Sequence, residues 1–451
     1  MSAARALYSA LMACARPLLR RKLRRRAVAE PGYAQAVEER FGHYDTTGAP
    51  EPQAPGAGPL VWVHAVSLGE TRAAAILLDA LRPLLPGMRL LLTHGTATGR
   101  AEGRKLLRPG DLQAWQPWDT PGAVRRFLRH FRPAVGILME TEIWPNLIAG
   151  CRAHGVPLAL ANARLNARSL AGARRLAWLS RPAYGALAAV WAQTADDAAR
   201  LHAAGARVDG VFGNLKFDVV PDAALHARGR AWRDASPRPV ALLASSREGE
   251  EALWWAALAS NPLHVGVQAS DIATENIAIT PAAPARAVQW LIVPRHPQRF
   301  AEVRAQLEAA GLTVSCRSQW GGAPAPADVW LGDSMGEMPL YYGLAHVALL
   351  GGSFEPLGGQ NLIEAAACGC PVVMGPHTFN FAEAADNAAA AGAALRVDGM
   401  PQGIATAEAL ALDAPRRAAL QERALAFSAA HRGAAHATAQ AVAQLLHARA
   451  A

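Results

Sequence analysis

The stretch Gly351 to Phe381, GGSFEPLGGQNLIEAAACGCPVVMGPHTFNF, runs from a glycine-rich loop into a helix and then a strand. Such an order of elements builds a seat for a phosphate. In Gly358-Gly359-Gln360-Asn361 the glycines let the backbone approach a ligand closely, and Asn361 suits the N-cap of an apolar helix over Leu362 to Ala367. Free N–H groups at a helix start attract an anion. Glu364, three residues beyond the cap, either closes a capping box or reaches the hydroxyls of a ribose whose phosphate rests on the loop.

Other polar residues stand where strands end. Glu70 follows an apolar run by way of His64 to Gly69 and opens a helix over Thr71 to Leu81. A helix start favours an ionised carboxylate, so Glu70 reads either as a base at neutral pH or as an ordinary partner of the helix dipole. Ser245 and Ser246 precede the acidic helix start at Glu248 to Glu251 and fit a second ligand-binding helix start or an N-cap equally well. Arg295 and His296 pair a guanidinium and an imidazole suited to a phosphate; Arg299 is a weaker candidate, with solvent exposure as its alternative. The compact ammonium of Lys216 suits a carboxylate or phosphate. The charge of Asn162-Ala-Arg164 and Arg168 suits a phosphorylated ligand. Glu140 and Glu142 would share one face if their strand continued, yet their spacing indicates no glycosidase acid/base pair, and a structural use is expected. Cys368 and Cys370 form a lone Cys-x-Cys without a second Cys/His pair, so no metal is expected there.

The elements that must position these groups follow a βαβ rhythm. Apolar runs at Leu60–Val63, Leu90–Thr93, Val135–Met139, Leu158–Ala161 and Ala189–Ala192 alternate with helical stretches. A second series runs through Val240–Ala244, Trp290–Val293, Val329–Leu331, Val347–Leu350 and Pro371–Met374. Two doubly wound α/β domains result, with a hinge at Lys216 to Ala223. The expected division is a basic segment over residues 1–30, a domain over 31–220 and a domain over 221–451, with an insertion at Asn261 to Ala287.

Charge is unevenly placed. Residues 1–30 carry seven Arg and one Lys against Glu30, giving 8 − 1 = +7 of the formal +9. The body is near neutral, which argues against a nucleic-acid surface spread over the fold. The apolar run Ala6 to Leu19, broken by Arg16 and Pro17, is too short to span a bilayer but suits an interfacial anchor whose arginines meet anionic lipid. That anchor is expected to add membrane affinity and little to either folded core.

Five segments recur in this order in one family: VWVHAVSLGE (Val61–Glu70), ETEIWPNL (Glu140–Leu147), GNLKFD (Gly213–Asp218), LIVPRHPQR (Leu291–Arg299) and GDSMGEM (Gly332–Met338). The chain resembles the Kdo transferases, which move 3-deoxy-D-manno-octulosonic acid (Kdo) from CMP-Kdo onto the lipid A precursor. The resemblance covers nearly the whole chain. It departs at Gln360, where His is usual, at Ala365, where Pro is usual, and at Ser246-Arg247, where a Thr-His pair is usual.

The resemblance implies a membrane-associated GT-B enzyme of two Rossmann-like domains facing across a cleft, its last helix packing back on the first domain. It implies inversion at the anomeric centre, no cofactor and a place on the cytoplasmic face of the inner membrane. Glu70 falls on the family's catalytic base, and Met335, Gly336 and Glu337 fall where the family faces the cytidine nucleotide. Ser245, Ser246, Arg295, His296, Gly358, Gly359, Asn361, Glu364 and Lys216 complete the expected donor site; Asn162, Arg164 and Arg168 are the expected acceptor contacts. A sugar-nucleotide epimerase of the same architecture and a non-catalytic nucleotide-sugar sensor are the rival readings.

Overall fold

The computed structural model describes residues 2–44, 58–260 and 287–450. The linker at 46–58 and the insertion at 261–287 fall almost wholly outside them. The chain divides into two compact units, residues 1–218 with 431–451 and residues 219–430.

In the first unit, β1 (Leu60–His64), β2 (Arg89–His94), β3 (Leu112–Trp115), β4 (Val135–Met139), β5 (Leu158–Ala163), β6 (Ala189–Ala192) and β7 (Gly210–Val211) form one parallel sheet in the order β3-β2-β1-β4-β5-β6-β7. Alternate residues of a strand face opposite sides, and both sides are covered. Val61, Val63, Leu90 and Ile137 pack beneath the helices Leu68–Leu84 and Ala434–Ala450, and Trp62, Leu91 and Leu138 pack with Phe127 and Leu147 on the other side. Asp218 caps the last helix by accepting from the N–H groups of Gly433 and Ala435.

The second unit repeats the plan. Its strands β8 (Val240–Ser246), β9 (Gln289–Pro294), β10 (Val314–Cys316), β11 (Val329–Leu331), β12 (Val347–Leu350), β13 (Val372–Met374) and β14 (Ala394–Arg396) are parallel in the order β10-β11-β9-β8-β12-β13-β14. Each sheet reverses its winding at one place, between β1 and β4 and between β8 and β12. Open α/β sheets bind ligands at that switch, outside the carboxyl ends of the strands.

The basic amino-terminal segment departs from expectation. It folds as two helices, Ala3–Cys14 and Arg16–Ala29, and part of it belongs to the first unit's core. Ser9 and Leu23 are buried, the Ser9 hydroxyl donates to Asn146 Oδ1 at 3.0 Å, and the Tyr8 hydroxyl bonds Asp119. Arg20 lies 4.0 Å over the buried Phe41 ring and pairs with Glu38. The segment is therefore part of the first unit's fold.

Candidate active site

In the first unit the chain leaves β1 at the sheet switch and turns through Ala65 and Val66 to Ser67, the N-cap of helix Leu68–Leu84. Glu70 sits in the first turn. Its Oε2 accepts from the Val66 N–H at 2.8 Å and its Oε1 from the Ser67 hydroxyl at 3.1 Å. Burial raises the Glu70 pKa to about 7; the Val66 N–H opposes the rise, and the charges of Glu140 and Glu142 add to it. Desolvation outweighs the helix dipole, so the group titrates near neutral pH and not far below it as a helix start alone would set it. A carboxylate titrating near 7 is well matched to general-base work.

Glu140 and Glu142 come from the neighbouring β4, whose regular backbone ends at Met139. Glu140 adopts a left-handed conformation with φ of 58°, so the two side chains take separate directions. The Glu140 carboxylate accepts from Arg164 at 2.8 Å and lies 3.6 Å from the Lys216 ammonium. Lys216 is thus a first-unit residue. Glu142 accepts from the Trp144 indole at 2.6 Å and stands 3.9 Å from Nε2 of His64. Burial pushes the His64 pKa down to about 3, leaving a neutral ring. Its Nδ1 donates to the Thr93 carbonyl at 3.1 Å, so Nε2 is a buried acceptor, unpaired among the described residues. No local pattern singles out His64 beyond its place in the segment that ends on Glu70.

The three expected acceptor contacts separate. Asn162 is buried at φ of 53°, and its side-chain oxygen accepts from the Leu215 N–H at 3.0 Å. That oxygen is spent on the loop at Leu215. Arg164 is bound to Glu140, and Arg168 is exposed on the helix Ala167–Arg175, which buries none of its residues.

In the second unit the glycine loop leaves β12 and the serines leave β8, on the two sides of the other switch. Glu250, buried, ties them: its Oε2 accepts from the N–H groups of Arg247 at 2.8 Å and Gly352 at 2.7 Å, and its Oε1 from Phe354 at 3.0 Å. A Cβ on Gly351 would stand 2.3 Å from the Ser245 carbonyl, so that approach requires glycine. Gly352, Gly358 and Gly359 all have positive φ, the freedom expected of a ligand-cradling loop.

Asn361 does not cap the helix as expected. The helix is Ile363–Ala367 with Leu362 at its N-cap, and Asn361 Oδ1 accepts from the Ile363 N–H at 3.1 Å, forming a turn just ahead of it. One short helical turn carries little dipole, so the attraction for an anion falls to the loop and nearby cations. Glu364 lies half-buried on that turn.

Ser245 and Ser246 part company. Ser246 is fully buried and its hydroxyl donates to Glu251 at 2.6 Å, while Glu251 holds Arg299 through two bonds of 2.9 Å. Ser246 and Arg299 are therefore structural, which corrects the donor expectation for the first and the solvent expectation for the second. The helix start there is capped by Gly249, not by serine. Ser245 stays half-buried with φ of 57°.

Arg295 donates to Gln360 at 3.2 Å, so the glutamine at this departure from the family pattern steadies the arginine. Burial lowers the His296 pKa, and the charges of Arg247 and Arg295 lower it further, which marks these three groups as one electropositive cluster. Met335 is 56% exposed beside Gly336, which rules out core packing for that methionine. Glu337 accepts from Arg317 at 2.8 Å and from the Ser334 hydroxyl.

The family model described as 3-Deoxy-D-manno-octulosonic-acid transferase (kdotransferase) matches residues 35–219. A 3-deoxy-D-manno-octulosonic acid transferase of Bordetella pertussis is 52% identical over 406 residues, which cover 88% of this chain and 89% of that one. The chain belongs to the Kdo transferase family. It is therefore a glycosyltransferase, and the architecture agrees with that. A glycosyltransferase structure from Rickettsia africae matches 87% of this chain and 99% of its own, with 12% identity and a TM-score of 0.54. A UDP-GlcNAc 2-epimerase structure from Neisseria meningitidis matches 86% and 99%, with 14% identity and a TM-score of 0.51. At such identities these structures speak for the GT-B fold alone. Family membership, not the fold, separates transferase from epimerase.

Proposed function

We propose that this transferase moves Kdo from CMP-Kdo to the lipid A precursor with inversion, using Glu70 as general base. The observation that carries the reading is a half-buried carboxyl at the β1/β4 switch, raised to about 7 and aimed by Val66 and Ser67. An acceptor hydroxyl oxygen attacks the anomeric carbon of Kdo while the bond to CMP breaks. CMP leaves with that electron pair, and the hydroxyl proton passes to Glu70.

The second unit supplies the donor seat. Arg295 and His296 with the Gly358-Gly359 loop receive the phosphate, exposed Met335 and Gly336 receive the cytidine, and Glu364 receives the ribose. The first unit receives the acceptor, whose phosphate is met by Arg164 and Arg168 while Lys216 and Glu140 hold the surrounding loops.

Attachment is peripheral, at the cytoplasmic face of the inner membrane. No helix among the described residues is long and apolar enough to cross a bilayer. The amino-terminal helices instead expose Leu7, Leu11 and Leu18 among their arginines, a composition that settles into an anionic interface.

Incubation with CMP-Kdo, with and without lipid A precursor, tests the proposal. Acceptor-dependent CMP release with a Kdo-bearing product is expected. An altered free sugar nucleotide would indicate an epimerase, and binding without turnover a sensor.

A further inference from the structure

The turn over residues 332–338 leaves β11 and enters the helix Met338–Leu344. No main-chain hydrogen bond among the described residues holds it between Asp333 and Gly336, so its shape is left to side chains. The Ser334 hydroxyl donates to Glu337 Oε2 and meets the hydroxyl of Tyr341. The other holds come from Arg317–Gln319, the segment that follows the edge strand β10. There the Ser318 N–H donates to Asp333 Oδ1 at 2.8 Å, the Ser318 hydroxyl donates to Asp333 Oδ2, and Arg317 donates to Glu337 Oε1 at 2.8 Å.

Arg317 is itself fixed from behind. Its guanidinium carbon lies 5.5 Å from the Trp232 ring centre and 5.8 Å from that of Trp320, and the two indoles meet edge to face at 5.7 Å. Trp320 is buried, donates to Ser315 at 2.9 Å and packs edge-on against Trp330. A planar cation gains from such rings, whereas an ammonium on a flexible stem reproduces that contact poorly. The Arg317 and Glu337 side chains are only 17% and 19% exposed, so removing one partner strands the charge of the other in a half-dry setting. The opposite side of the turn is open. Gly336 has φ of 81° with nothing within 4 Å of where its Cβ would stand, and Met335 beside it is exposed.

We infer that Arg317 is a positioning residue for the donor: acting through Glu337, it fixes the turn that presents Met335 and Gly336 to the cytidine nucleotide. The inference rests on the placement of the cytidine at this turn proposed above. A turn held in shape before the nucleotide arrives need not be ordered on binding, and that preorganisation adds to donor affinity.

The test is calorimetry with CMP on the unaltered protein, Arg317→Met, Arg317→Lys, Glu337→Gln and the double variant Arg317→Met with Glu337→Gln, with thermal midpoints and steady-state kinetics on each. Arg317→Met should weaken CMP about tenfold, the scale of one charge-assisted bond, and raise the CMP-Kdo KM alike, with the acceptor KM and kcat at saturating donor little moved. Lysine keeps the charge without the stacking and should recover part of the loss; it carries the same comparison if the methionine variant does not fold. In the Glu337→Gln background, Arg317→Met should change CMP affinity by less than about twofold, because the arginine acts through the carboxylate. A full loss in both backgrounds would mean that Arg317 touches the nucleotide directly and would overturn the inference. Unchanged CMP affinity in folded Arg317→Met would overturn it as well, as would a fall in kcat and midpoint without a donor KM effect. Gly336→Asn, which keeps the left-handed backbone accessible and fills the open side, separates the inference from the reading beneath it. Normal CMP binding by that variant, or none by the unaltered protein, would overturn the placement of the cytidine itself.

Discussion

Ser67 and Glu70 hold each other across the first turn of their helix: the Glu70 N–H donates to Ser67 Oγ at 3.4 Å, and the Ser67 hydroxyl donates to Glu70 Oε1 at 3.1 Å. The mutual bond fixes the carboxyl of a residue whose pKa burial raises to about 7. As the proposed base, Glu70 works only when deprotonated. The kcat/KM should therefore rise with pH through about 7 and level off above it, measured at saturating CMP-Kdo with varied acceptor. The sign for stability is opposite. A folded pKa above the ordinary 4.5 adds stability that is full below 4.5 and lost as pH rises through about 7. At pH 8 Glu70→Gln should thus raise unfolding stability by about 1–3 kcal/mol, and denaturant titration reads the change.

The amino-terminal helix is expected to support the first unit. Asp119 is buried with its pKa raised to about 6, and it accepts from the Asn146 and Leu147 N–H groups and from Tyr8. Tyr8→Phe removes one bond to a charged group and should cost about 1.5–3 kcal/mol. Deleting residues 1–26 also uncovers Asp119 and the Ser9 partner Asn146, so the unfolding midpoint in detergent should fall further. An unchanged midpoint after deletion would reduce the segment to a tether.

Ser246→Ala separates the two serines. It leaves Glu251 with Arg299 but removes a buried 2.6 Å bond, so stability should drop by about 1–3 kcal/mol while the CMP dissociation constant stays within a factor of two. Calorimetry on CMP with the unfolding midpoint reads both.

Much of the architecture was legible because ten of the fourteen strands among the described residues are interior, and interior parallel strands are continuous apolar runs. The four that the sequence pattern does not announce, β3, β7, β10 and β14, are the edges of the two sheets. LQAW, GV, VSC and ALR are short and half-wet, with too little periodicity to stand out. The site was legible in its loops and less so in its partners. The glycine loop stands out by its spacing and Glu70 only by the family segment it closes, but what holds each carboxylate is set by tertiary contact. Glu250 fastening Gly352 and His64 facing Glu142 join residues about 100 and 80 positions apart, and no local pattern encodes such pairs. Ser246 and Arg299 look like ligand and surface residues in sequence because burial, which decides their roles, is a property of the fold.

Glu364 tests the donor seat. If it meets the ribose, Glu364→Ala loses a charge-assisted contact of roughly 1.5–3 kcal/mol, which weakens CMP binding by one to two powers of ten. A residue that only supports its helix would cost about 1 kcal/mol of stability and leave CMP affinity little changed.

The most direct measurement is single-turnover transfer by Glu70→Gln, with CMP-Kdo affinity determined on the same preparation. The amide keeps the shape and the Val66 contact but takes no proton, so the account predicts at least ~100-fold slower transfer, CMP-Kdo binding within about twofold, and no rise in rate through pH 7. Near-normal transfer by the folded variant would contradict it and remove Glu70 from the chemistry.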